Sequence, residues 1–160
     1  MESDPVDANG PALPAYHCAN DDLRQADLGD EPRMDIIVVF TDEAGTRAAL
    51  QMAYALSRKL RAYIRLFVPY EVPYTLPLHK PGVAVEFLAG QIRDLISTVS
   101  FGIEGHLHLC RDKRRALRLL LTPHSLVVVG GKKRWWQTSA QEIERSLRDD
   151  GHQVIFAQLR

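Results

Sequence analysis

Between residues 35 and 157 the chain alternates between short apolar runs of strand length and stretches whose apolar residues recur every three or four positions. That alternation narrows the choice of fold more than any other feature, because consecutive runs are never joined by the short glycine or asparagine turns of a hairpin. Residues 36–40 and 126–129 are uninterrupted apolar runs, as expected of strands buried on both faces. Residues 62–68, 106–110 and 153–157 read as three more strands, with 106–110 alternating as an edge strand does. Ala49, Met52, Ala53, Leu56 and Leu60 mark an amphipathic helix whose last turn carries Arg58 and Lys59, where cations suit the dipole. Leu88, Ile92, Leu95, Ile96 and Val99 mark a second, residues 112–122 a short third, and Ala140, Ile143 and Leu147 a fourth that Gly151 closes. Prolines at 69, 73, 77 and 81 bar both helix and central strand from that connection, which is either a lid or a stiff linker.

Strands separated by helices specify an α/β fold: a five-stranded parallel doubly wound sheet, order 3-2-1-4-5, with helices on both faces. Its two most apolar strands, 36–40 and 126–129, should lie side by side at the centre. Ligands of such sheets bind at the carboxyl ends of the strands, where the winding reverses, so Thr41, Asp42, Gly130 and Gly131 mark the expected site. The formal net charge of zero hides two unlike parts. Residues 1–33 hold eight acids and two bases, and residues 34–160 hold 18 bases and 12 acids. With no sustained apolar period, 1–33 reads as a disordered acidic tail and 34–160 as the folded domain. Tail and body could pair, the tail competing with an anionic ligand. No apolar run is long enough for a bilayer and the acidic N-terminus lacks an export signal, so a cytoplasmic location with no membrane partner is expected.

Residues 36–50, Ile-Ile-Val-Val-Phe-Thr-Asp-Glu-Ala-Gly-Thr-Arg-Ala-Ala-Leu, resemble the opening of universal stress protein domains: a short strand, a polar turn, then a helix starting Ser/Thr-x-x-Ala-Leu, here at Thr46. Residues 126–130, Leu-Val-Val-Val-Gly, resemble the family's fourth strand, and the strand order and the closing 154–157 agree. The resemblance implies a regulatory or stress-response module of the adenine nucleotide alpha hydrolase-like fold, not an enzyme, with ATP or another adenine nucleotide as the possible ligand. It also implies a homodimer through the C-terminal edge strand. The family's Gly-x2-Gly-x9-Gly-Ser/Thr loop is not kept, however: its second position falls on Lys133 and its last pair on Ile143 and Glu144. Its first-strand Asp aligns with Thr41, beside Asp42. The nucleotide site is therefore expected to be degenerate.

In place of the glycine-rich loop stand Lys132, Lys133 and Arg134, then Trp135 and Trp136, with Thr138 and Ser139 before the last helix. Ser139 and Glu142 have capping-box spacing. The cations could hold a phosphate and the tryptophans a base, so a nucleotide or dinucleotide sensor is the alternative function. The other reading is a solvated basic turn with one tryptophan packed on the sheet. Val68, at the end of the second strand, completes the candidate set. Arg111, Lys113, Arg114, Arg115 and Arg118 crowd the start of the third helix and call for a compensating anion, from the tail or elsewhere. Lacking interleaved aromatics, they argue against nucleic acid. His106 and His108 could begin a metal site but have no third ligand nearby in sequence, so no metal is expected and they read as solvent-facing. Cys110 reads as a buried thiol, and Cys18 lies in the tail. No nucleophile, base and orienting acid stand at a recognisable spacing, so no catalytic residue is assigned.

Overall fold

A computed structural model describes residues 15–19, 34–136 and 138–159. Its elements in chain order are β1 (Ala15–Ala19), β2 (Asp35–Val39), α1 (Glu43–Leu60), β3 (Tyr63–Glu71), α2 (Val85–Ser97), β4 (Ile103–Cys110), α3 (Lys113–Leu120), β5 (Leu126–Gly131), α4 (Ser139–Asp149) and β6 (Gln153–Gln158). They build one six-stranded sheet in the order β1-β4-β3-β2-β5-β6. The last five are the expected parallel strands in the expected order, with β2 between β3 and β5. Ile36, Val38, Val39, Val127, Val128 and Val129 are fully buried, which is why these two segments carry no polar face.

The apolar residues divide into two cores, one on each face of the sheet. On one face α1 and α2 pack Leu50, Ala53, Leu88, Ile92 and Ile96 onto Ile36, Val38, Leu66 and Leu107. On the other, α3 and α4 pack Leu117, Ile143 and Leu147 onto Ile37, Val39, Phe67 and Val127.

Three features depart from the sequence reading. Ala15–Ala19, within the stretch expected to be unstructured, pairs antiparallel with β4; the rest of 1–33 lies outside the described residues. Consequently β4 is not an edge, and His106 and His108 are not solvent-facing. Pro69 also lies inside β3, which continues to Glu71. The Phe67 carbonyl accepts the last bond on the β2 side, from Phe40 N–H at 2.9 Å. Two residues on, Pro69 points its missing N–H the same way, beyond the end of β2, so no ladder bond is lost.

Candidate functional site

The switch point lies where expected, but the chain fills it. The Asp42 side chain accepts the Gly45 N–H at 2.6 Å and caps α1, whose first residue is Glu43. The helix thus starts three residues before Thr46, and what reads as an open polar turn is its first turn. That turn sits directly on β5: a Cβ at Gly130 would run into the Gly45 carbonyl, and one at Gly45 into that of Gly130. Only glycine at both positions allows this approach. Thr41 Oγ1 donates to the Gly130 carbonyl at 2.6 Å, and Thr41 N–H donates to Oγ1 of the buried Thr46 at 3.1 Å. Thr41 and Gly130 are therefore bonded to each other, and Asp42 next to them is committed to the first turn of α1.

The loop after β5 is closed in a similar way. Thr138, not Ser139, is the N-cap of α4, and the capping box is Thr138 with Gln141. Thr138 Oγ1 accepts the Gln141 N–H at 3.3 Å. Gln141 Oε1 accepts the N–H groups of Thr138 at 3.0 Å and Arg134 at 3.3 Å, while its Nε2 donates to the Arg134 carbonyl at 3.4 Å. One carboxamide thus takes two amides of the loop. Gly131 lets α4 approach, since a Cβ there would lie 2.6 Å from that of Ala140. Outside this ring the cations are exposed: Lys133 Nζ lies 4.9 Å from the centre of the Phe156 ring, and the Arg134 guanidinium 5.0 Å from that of Trp136. Trp135 is 92% exposed and Trp136 48%, with their rings edge-on at 5.1 Å, so neither is buried on the sheet.

Val68 stands apart from both groups. It lines a cavity of about 480 Å³ beneath α1 and α2, with Phe40, Tyr70 and Leu107 as its floor and Arg47 and Asp94 on its walls. No residue of the proline-rich stretch 73–84 lines this cavity. That stretch is instead tied to the end of β4, where Arg111 Nη1 donates to the carbonyls of Val72 at 3.2 Å and Pro73 at 2.6 Å. Two of the α3 cations have anions within the body, Arg118 at Asp150 and Arg114 at 3.9 Å from Glu142, while other nearby acids serve the helix backbone. Asp112 caps the helix, Glu71 Oε1 accepts the Lys113 N–H, and Asp150 takes Arg118 through both oxygens at 3.1 and 3.2 Å.

A second polar group, less evident in the sequence, lies on the α3/α4 face at the other end of the sheet. Arg65 lies 3.5 Å from Asp35 and 3.9 Å from Glu104, and Glu104 Oε1 is 3.0 Å from His106 Nε2. Next to it, His108 is only 6% exposed, and neither ring nitrogen has a hydrogen-bond partner. Such burial costs about 1–3 kcal/mol. Burial, and then the neighbouring His106, push its pKa down to about 4, so the ring is neutral at physiological pH. Cys110 is buried as expected, and burial, then Glu71, push its thiol up to about 11. It is a packing residue, not a thiolate.

No helix among the described residues is long and apolar enough to cross a membrane. No family model, curated protein or solved structure matches the chain.

Proposed function

We propose that the chain is a universal-stress-protein-like regulatory module, cytoplasmic and non-enzymatic, whose nucleotide site has been closed by its own side chains. The observation that carries this reading is the Gln141 carboxamide on the Arg134 and Thr138 amides. These are backbone donors of the kind a phosphate requires, and they are already bonded. The Gly45 to Gly130 approach adds to it, seating the first turn of α1 directly on the end of β5. Regulation would then pass through surfaces rather than through turnover: the free edge of β6, where a homodimer would form, and the exposed basic loop. Titration calorimetry of the folded chain with MgATP tests this. No saturable heat is expected at millimolar nucleotide, and micromolar affinity would overturn the reading.

The exposure of Trp135 beside Lys132, Lys133 and Arg134 favours a second reading. In that reading the loop binds a phosphate ligand from outside, as a nucleotide or dinucleotide sensor, without entering the closed ring. Indole stacking on a base and cations on phosphate are suited to this. Tryptophan fluorescence titrated with ATP, AMP and cyclic dinucleotides discriminates the two: a saturable change lost in Trp135→Ala selects the sensor, and a flat response selects the closed module.

A further inference from the structure

The cavity of about 480 Å³ on the α1/α2 face has the size of a small-molecule site, about 300–1,000 Å³, and a lining of two kinds. Val68 and Tyr70 stand two apart on β3 and so share a face, Leu107 is the neighbour of Val68 on β4, and Phe40 directly follows β2. These four form an apolar floor. Leu88 and Leu95 of α2, both buried, continue it up one wall.

The mouth is charged. α1 packs on the sheet through Gly45, Thr46, Ala49 and Leu50, which leaves Glu43 and Arg47, one helical turn apart, to wall the cavity from its flank. Apolar side chains at these two positions would extend the core into the space; a carboxylate and a guanidinium instead set a polar mouth over an apolar floor. Arg47 is already committed, its Nη2 lying 2.9 Å from Glu43 Oε1. On the opposite wall, Asp94 of α2 lines the same cavity and has no cation at ion-pairing distance among the described residues. Two carboxylates against one guanidinium give the mouth one surplus negative charge. An anionic occupant is therefore disfavoured, and a cation with an apolar body complements both parts of the lining.

We propose that this cavity binds a small organic cation, an ammonium group carried on an apolar body. The body lies on the floor and displaces water from it. The ammonium group reaches Asp94, with which it forms a charge-assisted hydrogen bond, and the rings of Phe40 and Tyr70 add cation–π attraction. The site is distinct from the closed nucleotide seat, since none of Thr41, Asp42, Gly130, Gly131 or residues 132–139 lines it. Binding here does not depend on whether that seat is closed.

Three probes with one apolar body and different charge test the proposal: phenylpropylamine, phenylpropanol and phenylbutyrate, each titrated into the full chain by calorimetry. Saturable binding of the amine at millimolar concentration or below is expected, about tenfold tighter than the alcohol, with no binding of the carboxylate. Asp94 is exposed on α2, so its variants keep the core intact. Asp94→Asn should bring the amine down to the affinity of the alcohol, and Asp94→Lys should make phenylbutyrate the preferred probe. Methyl NMR of the wild-type protein locates the ligand, with shifts expected at Val68, Leu88, Leu95 and Leu107. No saturable binding of the amine, an alcohol that binds as tightly, an affinity unchanged in Asp94→Asn, or shifts confined to residues outside the cavity would each overturn the site.

Discussion

His108 stands in surroundings that its side chain does not favour, and this makes it a sensitive reporter. The titratable group acting on it is His106 on its own strand, with Cys110 next along β4 on the same face. Its folded pKa of about 4 lies below the ordinary 6.5, so the unfolded chain takes up the proton first as pH falls. The stability gained by keeping it neutral is complete above pH 6.5, shrinks between 6.5 and 4, and is absent below. The difference corresponds to about 3 kcal/mol at most. Urea unfolding should therefore show a midpoint that drops from neutral to acid pH, and His108→Leu should flatten that drop. An equal drop in the variant would assign the acid sensitivity to other groups. At Gly130 the expectation is steric. Its missing Cβ is where the Gly45 carbonyl passes, and neither backbone can give way. Gly130→Ala should cost more than about 3 kcal/mol by chemical denaturation, and a cost under about 1 kcal/mol would mean that α1 does not sit this close.

At the scale of elements, periodicity made the sheet legible and local chemistry decided the rest. Apolar runs identified β2 and β5 as central because burial on both faces excludes polar residues from them. β1 gave no such signal: Ala15–Ala19 needs only one hydrogen-bonded neighbour, and that neighbour, β4, is 84 residues or more away in sequence. The missing strand is also why the histidines read as solvent-facing. Both closing devices at the candidate site are shifts of register. Asp42 and Thr46 can each start a helix, as Thr138 and Ser139 can, and spacing alone does not choose between them. Tertiary contacts choose: Thr46 is needed beneath Thr41, and Gln141 reaches the Arg134 backbone. Gln141→Ala should accordingly destabilise the chain by about 1 kcal/mol, read from its urea midpoint. It should also speed amide hydrogen exchange at Arg134 and Thr138. Unchanged exchange at those amides would mean that Gln141 does not close the loop.

Over the whole molecule, the sheet ends in two unlike edges. β1 caps one side with five residues. On the other, no described strand pairs with the outer side of β6, along which Val154, Ile155 and Phe156 are half-buried. An unpaired edge with apolar flanks invites a second copy. Sedimentation at micromolar concentration should give twice the 18.0 kDa chain mass, and a monomer at that concentration would contradict the dimer. Charge acts at this scale too. The basic surplus of residues 34–160 remains, but Arg118 and Arg114 of the α3 cluster pair with Asp150 and Glu142, so its need for an outside anion is reduced. The basic loop before α4 is where surplus positive charge and exposed aromatic surface coincide. The expected pairing of the acidic tail with the body lies outside the described residues.

Under the proposed function the chain occupies its own nucleotide seat. Mass-spectrometric identification of small molecules released from freshly isolated, folded protein tests it most directly. The account predicts no adenine nucleotide at a level approaching one per chain. Stoichiometric release of ATP or another adenine nucleotide would contradict it.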